Sequence, residues 1–384
     1  MKLYEDRPGR FAFVTTNSIS QGDQVPRLFG PIFAGGWKIL FAHRTFAWDS
    51  EAPGKAAVHC VIVGFTRERG FTPRLWDYPK VNGDPVPVKV DTGINAYLID
   101  GINVLVEKSR KVLSPEIAVA VMGNMARDGG NLIVEPEEYE TIYADEVARK
   151  YLRPFVGSRE IVQGKDRWCL WMTDLEPADL SRSSLLSSRL QAVREFRSAS
   201  KAASTRQMAE TPQLFGQRSQ PETDYLAVPK VVSETRRYYT AQRYPSNVVV
   251  SDLAYHVQDQ NGLQFALISS SMFIAWQKAV GGRLKSDLRF SNTLTWNTFP
   301  VPELTEDQRQ RIIKAGKGVL EARALHPERS LAEHYEPLAM APELIKAHNA
   351  LDREVDKAFG ASKRLTSERQ RQELLFSNYV ALTK

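Results

Sequence analysis

The sequence predicts a chain of mixed class, α/β followed by α+β, that ends in helices. Near the N-terminus, two short apolar segments flank a helical pattern, which is typical of a strand–helix–strand unit. The middle of the chain alternates apolar runs with turn residues, and from residue 301 apolar residues recur at helical spacing. We therefore expect a partial doubly wound sheet, a mixed α+β domain and a C-terminal helical cap.

The length and composition are those of a globular protein with more than one domain. The 384 residues are 42% hydrophobic, and we place domains at 1–95, 96–300 and 301–384. The 51 Lys and Arg against 45 Asp and Glu give a net charge of +6, which permits a polyanionic partner without requiring one. No run of about 18 apolar residues occurs, so no membrane span is expected.

Two cysteines, Cys60 and Cys169, both lie in apolar runs that resemble strands. We expect them to be buried thiols rather than a disulfide, in a reducing compartment such as the cytoplasm. No group of cysteines and histidines has the spacing of metal ligands, so no metal site is expected.

The N-terminal segment predicts three strands and a helix. The strands are Arg10–Thr16, Trp37–Phe41 and Val58–Phe65, and the last is apolar nearly throughout, as strands buried on both faces are. Apolar residues between Val25 and Phe33 have helical spacing, although Pro31 must kink or shorten that helix.

The middle segment predicts several short elements. We expect a strand pair over Tyr97–Val106 bent at Gly101, and a helix over Pro136–Lys150. A hairpin is expected from Arg159–Gly164 and Arg167–Met172, with its tryptophans in the core. Residues 181–210 predict a long basic helix, 225–232 a strand, and 265–276 an apolar helix.

Basic residues lie along the predicted long helix at 181–210, and others occur further along the chain. Such a run is usually a solvated face, but it also suits contact with DNA phosphates, which positions a duplex without distinguishing sequences. The candidates for such contacts are Arg189, Arg197, Lys201, Arg236, Arg237 and Arg283.

The segment 279–302 is the most suggestive of function. After Gly281-Gly282, the charged residues Lys285, Asp287 and Arg289 alternate with other residues, so in an extended chain they point to one side. A lysine that meets guanine O6 and N7, beside a carboxylate that accepts from cytosine N4, would recognise a G·C pair in the major groove. The alternative is a solvated loop whose charges pair with each other.

The C-terminal part predicts three helices. A capping box, Thr305-Glu-Asp-Gln308, opens the first. The second starts with Pro342 and stops at Gly360, and the third covers roughly 366–382.

Several sequence blocks resemble the type IIL restriction–modification enzymes, the Mme-type family, in the same order along the chain. These enzymes are single-chain adenine-N6 DNA methyltransferases with a fused target-recognition domain. The blocks that carry the resemblance are 13–25, 41–48, 151–158, 167–171, 232–238 and the Gly-Arg-Leu-Lys-Ser-Asp and Trp-Asn-Thr-Phe-Pro motifs within 279–302.

The resemblance implies a role for each domain. Residues 1–95 would be the end of a methyltransferase domain, 96–300 the target-recognition domain and 301–384 a helical domain. Phe46 or Trp48 would stack on an adenine flipped out of double-stranded DNA, although both rings could equally cap the sheet. Leu253 would be a further position that contacts a base.

The resemblance also implies a cofactor, S-adenosylmethionine, as the methyl donor. No glycine-rich turn follows the first strand, and Asn-Pro-Pro does not occur. We therefore expect a C-terminal portion of such an enzyme that binds double-stranded DNA but holds the cofactor poorly and does not methylate alone. The alternative is a DNA specificity subunit that acts with a separate catalytic chain, and a third possibility is an inactive remnant.

Overall fold

A computed structural model describes residues 9–48 and 58–384. Within these ranges the strands are β1 (Arg10–Thr16), β2 (Lys38–Trp48), β3 (Val58–Thr66), β4 (Arg74–Asp77), β5 (Val86–Val88), β6 (Ala120–Met122), β7 (Ile133–Val134), β8 (Leu152–Val156), β9 (Trp168–Leu170), β10 (Tyr225–Pro229), β11 (Val231–Val232), β12 (Gln242–Tyr244), β13 (Val249–Val250), β14 (Ala254–Gln258), β15 (Gly282–Leu284) and β16 (Asp287–Arg289). The α-helices are α1 (Gln24–Ala34), α2 (Tyr139–Ala144), α3 (Ser158–Gln163), α4 (Pro177–Arg182), α5 (Ser184–Ser198), α6 (Ala203–Gln207), α7 (Leu263–Ile268), α8 (Ser271–Val280), α9 (Glu306–Ala324), α10 (Leu331–His334), α11 (Pro342–Ala358) and α12 (Glu368–Thr383).

The chain forms two compact units, and each is built from separated stretches of sequence. The first unit takes 1–117, 270–308 and 352–384, and the second takes 118–269 and 309–351. The domains predicted from the sequence are continuous segments with boundaries at 95 and 300, and they remain a prediction about functional domains. Local sequence carries no marker for a unit that the chain leaves and re-enters, which is why the two divisions differ.

The first unit contains the N-terminal sheet, in the order β1-β3-β2-β4-β5. Strands β1 and β2 each pair antiparallel with β3, so they run parallel to one another and are joined by α1, the expected strand–helix–strand unit. The apolar sequence of β3 is explained by its place between them rather than by parallel pairing. Phe29 of α1 and Phe65 of β3 are fully buried in this core, and α1 contains Pro31 without ending there.

Residues 97–106 are not the strand pair that their apolar spacing predicts. Within this stretch and its neighbours the structure has only an isolated bridge between Ile94 and Asp100. The Asn95 carboxamide oxygen accepts from the backbone of Tyr97 and Ile99, and the Tyr97 hydroxyl accepts from the backbone of Val106 at 2.9 Å. Side-chain hydrogen bonds thus replace the sheet ladder, and the apolar residues are buried by a folded loop.

The second unit holds two small sheets, β12-β10-β14-β6 and β13-β8-β9-β7. The hairpin expected from Arg159–Gly164 and Arg167–Met172 is wrong in its first strand, because Ser158–Gln163 is helix α3 and β9 pairs with β8 instead. The carboxylate of Glu160 accepts from the backbone N–H of Gly157 at 2.8 Å and caps that helix. Trp168 and Trp171 pack against the core as expected.

Serines divide two segments that the sequence predicts as single helices. Ser183 ends α4 and caps α5 by accepting from the backbone N–H of Leu186. Residues 181–210 thus contain the end of α4, the 15-residue α5 and the short α6. Ser270 likewise caps α8 by accepting from Phe273, which separates α7 from α8. An uninterrupted apolar or basic pattern does not reveal such a break, because serine is tolerated inside helices as well as at their starts.

The C-terminal helices follow the prediction closely. The Thr305 and Gln308 side chains form the expected capping box ahead of α9, α11 begins at Pro342, and Gly360 has a φ of +101° beyond its end. The short helix α10 is an addition that the sequence pattern did not indicate. The mixed fold class with a helical C-terminal region is therefore confirmed.

Both cysteines are buried free thiols, as expected. Among the residues that the structure describes, no helix is long and apolar enough to cross a membrane, and no cluster of His, Cys, Asp and Glu could hold a metal ion.

Candidate nucleic-acid interface

The segment with the alternating charges is a β-hairpin, formed by the antiparallel pair β15 and β16. Its pairs are Gly282 with Arg289, Arg283 with Leu288, and Leu284 with Asp287. Directly paired residues project to the same face of a hairpin, so one face carries Leu284, Asp287 and Arg289. The opposite face carries Leu288, which is fully buried, so the first face is the outer one.

The hairpin is anchored at its base by helix α8 of the same unit. The Gln277 carboxamide nitrogen donates to the backbone oxygen of Arg289 at 2.9 Å, and Phe290 is buried just beyond. Gly281 lies so close that a Cβ there would meet the Gln277 side chain at 2.1 Å. Sequence reasoning missed Gln277, although a polar residue within an apolar helix is a visible signal for a buried hydrogen bond.

The charged side chains of this outer face have no partner within the described ranges. Lys285, Asp287 and Arg289 form no side-chain hydrogen bond or ion pair there, and both basic residues are exposed. The alternative that these charges pair with each other is therefore not what the structure has. Their hydrogen-bonding groups are available to an external ligand.

Lys285 differs from its predicted position in the hairpin. It is the first of the two turn residues that join the strands, and its φ is +57°. The prediction that three residues alternate along one extended chain thus holds for Asp287 and Arg289 and fails for Lys285. A left-handed conformation costs a non-glycine residue roughly 1–2 kcal/mol, so the lysine occupies a position that glycine would fill more cheaply.

Four of the arginines predicted to contact phosphate are engaged inside the protein. Arg197 is 0% exposed and donates to the backbone oxygens of five residues, among them Ala126 and Met208. Arg189 donates to Asn131 and Ile133 and pairs with Glu138. Arg197 is thereby excluded from phosphate contact, and the donors of Arg189 are already used.

The other two engaged arginines are Arg236 and Arg283. Arg236 is buried and donates to the backbone oxygen of Ala332 at 2.9 Å, and burial lowers its pKa. Arg283 lies on the inner face of the hairpin and donates to the turn oxygen of Ser286 at 2.9 Å. Both side chains support local structure, which leaves them fewer donors for phosphate than the sequence suggests, and their role in phosphate contact stays a prediction.

Two of the predicted basic residues are exposed. Lys201 follows α5, and its backbone oxygen accepts from Arg206 at 2.9 Å, whereas its ammonium group forms no hydrogen bond or ion pair with a described residue. Arg237 is also exposed, and its guanidinium carbon lies 5.7 Å from the ring centre of the buried Tyr238. Of the six basic residues predicted to contact phosphate, Lys201 and Arg237 thus keep exposed charged groups that can bind it. Both lie in the second unit.

Leu253, the apolar candidate for a base contact, lies on a tight turn before β14 in the second unit. Its side chain is 49% exposed. Its backbone oxygen accepts from the Ser158 hydroxyl and from the backbone N–H of Lys230 at 3.3 Å. The exposed side chain therefore stands on a backbone that is held in place.

The two aromatic candidates near the end of β2 have different surroundings. Phe46 stacks on Tyr78 with ring centres 5.1 Å apart. Trp48 is 48% exposed and approaches Phe46 only at 6.3 Å. Among the residues that the structure describes, Trp48 therefore has the less occupied ring face of the two.

The described residues contain no glycine-rich turn directly after a strand, the feature expected of an S-adenosylmethionine site. After β1 the chain enters a short helical turn at 17–20, and Gly22 beyond it has a φ of +64°, so a local backbone conformation accounts for this glycine. The only Gly-x-Gly sequence in the chain, Gly316-Lys-Gly318, lies inside α9. Neither position offers the glycine-rich turn after a strand that a methyl-donor site needs.

Three family models match consecutive parts of the chain. The description "MmeI, DNA-methyltransferase domain" covers residues 1–77, "MmeI, target recognition domain" covers 100–303, and "MmeI, C-terminal domain" covers 304–384.

Individual relatives agree with the family models. The chain is 34% identical over 378 residues to "DNA methyltransferase A" of Bacillus subtilis (strain 168), which is 98% of this chain and 42% of that protein. A solved structure of the type IIL restriction–modification enzyme MmeI in complex with DNA is similar with a TM-score of 0.86 at 40% identity, over 97% of this chain and 50% of that one. The chain spans about half the length of these relatives, and it belongs to the MmeI family of DNA methyltransferases with a target-recognition domain.

Proposed function

We propose that this chain recognises a short, specific site in double-stranded DNA as part of an adenine-N6 DNA methyltransferase. One observation supports this most directly. The hairpin β15–β16 has a buried inner face, while its outer face and tip present Lys285, Asp287 and Arg289 without partners among the described residues. Charged groups fixed on a rigid scaffold and left unpaired are suited to a ligand of complementary charge and hydrogen bonding.

A two-stranded ribbon fits the DNA major groove, which is about 12 Å wide. Lys285 and Arg289 have donors for guanine O6 and N7, and Asp287 has acceptors for the cytosine N4 amine. In this proposal Lys285 and Asp287 recognise one G·C pair between them, and Arg289 contacts a neighbouring base. Leu253 presents an apolar surface that a thymine methyl group would contact.

Phosphate contacts hold the duplex in this proposal, and they come from Lys201 and Arg237, whose charged groups are exposed. Such contacts add affinity and salt dependence, whereas base contacts add sequence discrimination. Arg189, Arg197, Arg236 and Arg283 are left out because their donors serve the fold.

For the methylation reaction, we propose that Trp48 stacks on the extruded adenine. Its ring is about half exposed, whereas Phe46 already stacks on Tyr78, and enzymes that modify a base read it between aromatic or apolar side chains. S-adenosylmethionine would supply the methyl group when bound. Because the described residues contain no glycine-rich turn after a strand, we propose that this chain alone binds DNA without methylating it.

The test is selection of bound duplexes from a random-sequence DNA pool at two salt concentrations. We expect enrichment of one short site and an affinity that falls steeply as salt rises. Salt-sensitive binding without an enriched site would leave only non-specific DNA binding and would contradict the base-recognition role. The absence of any binding would contradict the whole proposal.

A further inference from the structure

Gly282, on strand β15, is a glycine where neither its own φ nor the space at its Cβ requires one. Its φ lies outside the left-handed region, and a Cβ built on it meets no atom of the described residues within 4 Å. A glycine within a strand is less stable than alanine by about 0.5–1 kcal/mol. Folding alone would therefore favour a side chain at this position.

The glycines around it are different, because their roles in the fold are visible. A Cβ on Gly281 would meet the Gln277 side chain at 2.1 Å and its backbone oxygen at 2.3 Å. Gly22 has a φ of +64°, which a side chain rarely adopts. Close packing and backbone conformation thus account for Gly281 and Gly22, and neither accounts for Gly282.

The position of Gly282 on the hairpin gives it a functional setting. It pairs directly with Arg289, so the missing side chain would project to the same outer face, beside the arginine. On that face the next residue of β15 is Leu284, whose side chain is 53% exposed. The position paired with Arg289 on the outer face is therefore open among the described residues, and the half-exposed Leu284 follows it on the same strand.

We propose that Gly282 is a specificity-determining position, where the edge of a base pair approaches the strand backbone beside Arg289. Glycine within a strand often marks a site where a ligand comes close to the main chain. A methyl or larger group there would separate the base edge from the donors of Arg289. This inference rests on the proposed DNA recognition by the same hairpin. It adds Gly282 to the residues that determine specificity, although Gly282 has no side chain to contact the base.

The experiment compares Gly282→Ala and Gly282→Val with Gly318→Ala in the full chain. Gly318 on α9 is a matched control, since it also has an ordinary φ and a Cβ added there would meet no described atom within 4 Å. Each variant is measured for its thermal midpoint and for its Kd with a duplex of the selected site and with a shuffled duplex. We expect Gly282→Ala to keep or raise the midpoint while specific affinity falls roughly tenfold to a hundredfold, the range of one mismatched base pair.

The valine variant should lose at least as much specific affinity, and shuffled-duplex binding should be unchanged in every variant. A clearly lowered midpoint for Gly282→Ala would assign the glycine to folding and overturn the inference. Specific affinity equal to that of the wild-type chain would overturn it as well, while leaving DNA recognition intact. If the wild-type chain selects no site, the proposed function fails and this inference fails with it.

Discussion

Arg197 and Arg289 look alike in the sequence, as basic residues in segments suited to DNA, yet the structure uses them in opposite ways. Arg197 is completely buried, and its guanidinium donates to five backbone oxygens. Arg289 is exposed on the hairpin and has no side-chain partner among the described residues. A basic side chain is thus available to DNA only when the fold leaves its donors unused.

The same contrast divides all the basic candidates. Where nearby loops leave backbone oxygens without partners, an arginine fork satisfies several of them at once, because it has five N–H donors in a fixed plane. Arg189, Arg236 and Arg283 each donate to backbone oxygens in this way. At the turn of Lys285 and Ser286, the Ser286 oxygen already accepts from Arg283, so the lysine is not drawn into the fold.

The largest effect is expected from Arg197→Met, which removes all five hydrogen bonds and keeps an apolar stem. Buried backbone oxygens left without donors are costly, and we expect the free energy of unfolding to fall by about 3–5 kcal/mol. Urea unfolding measures this. Arg194→Met, an exposed arginine on the same helix, should change it by no more than about 0.5 kcal/mol, and equal stability of the two variants would contradict the structural role of Arg197.

A second test exchanges the charges at the tip of the hairpin, Lys285→Asp with Asp287→Lys. The donors and the acceptor trade places, so the preferred base should change at one position of the selected site. The discrimination between bases at that position is expected to be about 1–3 kcal/mol. Site selection with both proteins measures it, with binding to a shuffled duplex as the control, and an unchanged preference would refute the assignment.

Lys285→Gly separates the strain at this residue from its function. Because φ is +57°, glycine relieves roughly 1–2 kcal/mol of conformational strain while costing about 0.5–1 kcal/mol in chain entropy. We expect the free energy of unfolding to stay level or rise by up to about 1.5 kcal/mol, while discrimination at one base pair is lost. The control is Asp287→Gly on the adjoining strand, which should lower the free energy of unfolding. If Lys285→Gly lowers it as well, the turn tolerates lysine without strain.

Much of the fold could be predicted because local sequence and structure agree. The strand–helix–strand start, the capping box at Thr305 and the stop at Gly360 are local signals, and the structure contains them. The failures have a different origin: residues 97–106 are held by side-chain hydrogen bonds from Asn95 and Tyr97, and the breaks at Ser183 and Ser270 depend on serine hydroxyls. Periodicity does not encode whether a polar side chain bonds to the backbone.

The candidate site was predictable in a similar, partial way. The alternation of Asp287 and Arg289 is a sequence pattern, and both lie on the outer face of β16. The turn at Lys285 was not predicted, because a lysine gives no signal for a left-handed conformation. The burial of Arg197 depends on carbonyls from residues 126–127 and 208–214, which the fold brings to the helix.

The smallest effect tests the remaining phosphate candidates, with Lys201→Ala and Arg237→Ala combined in one protein. Each lost phosphate contact should reduce the slope of log affinity against log salt by about 1, almost equally for selected and shuffled duplexes. Arg189→Met is the matched control, because its donors already bind Asn131, Ile133 and Glu138. It should lower stability and leave the slope unchanged. An altered slope for Arg189→Met, or none for the double variant, would mean that exposure and unused donors do not identify the basic residues that bind DNA.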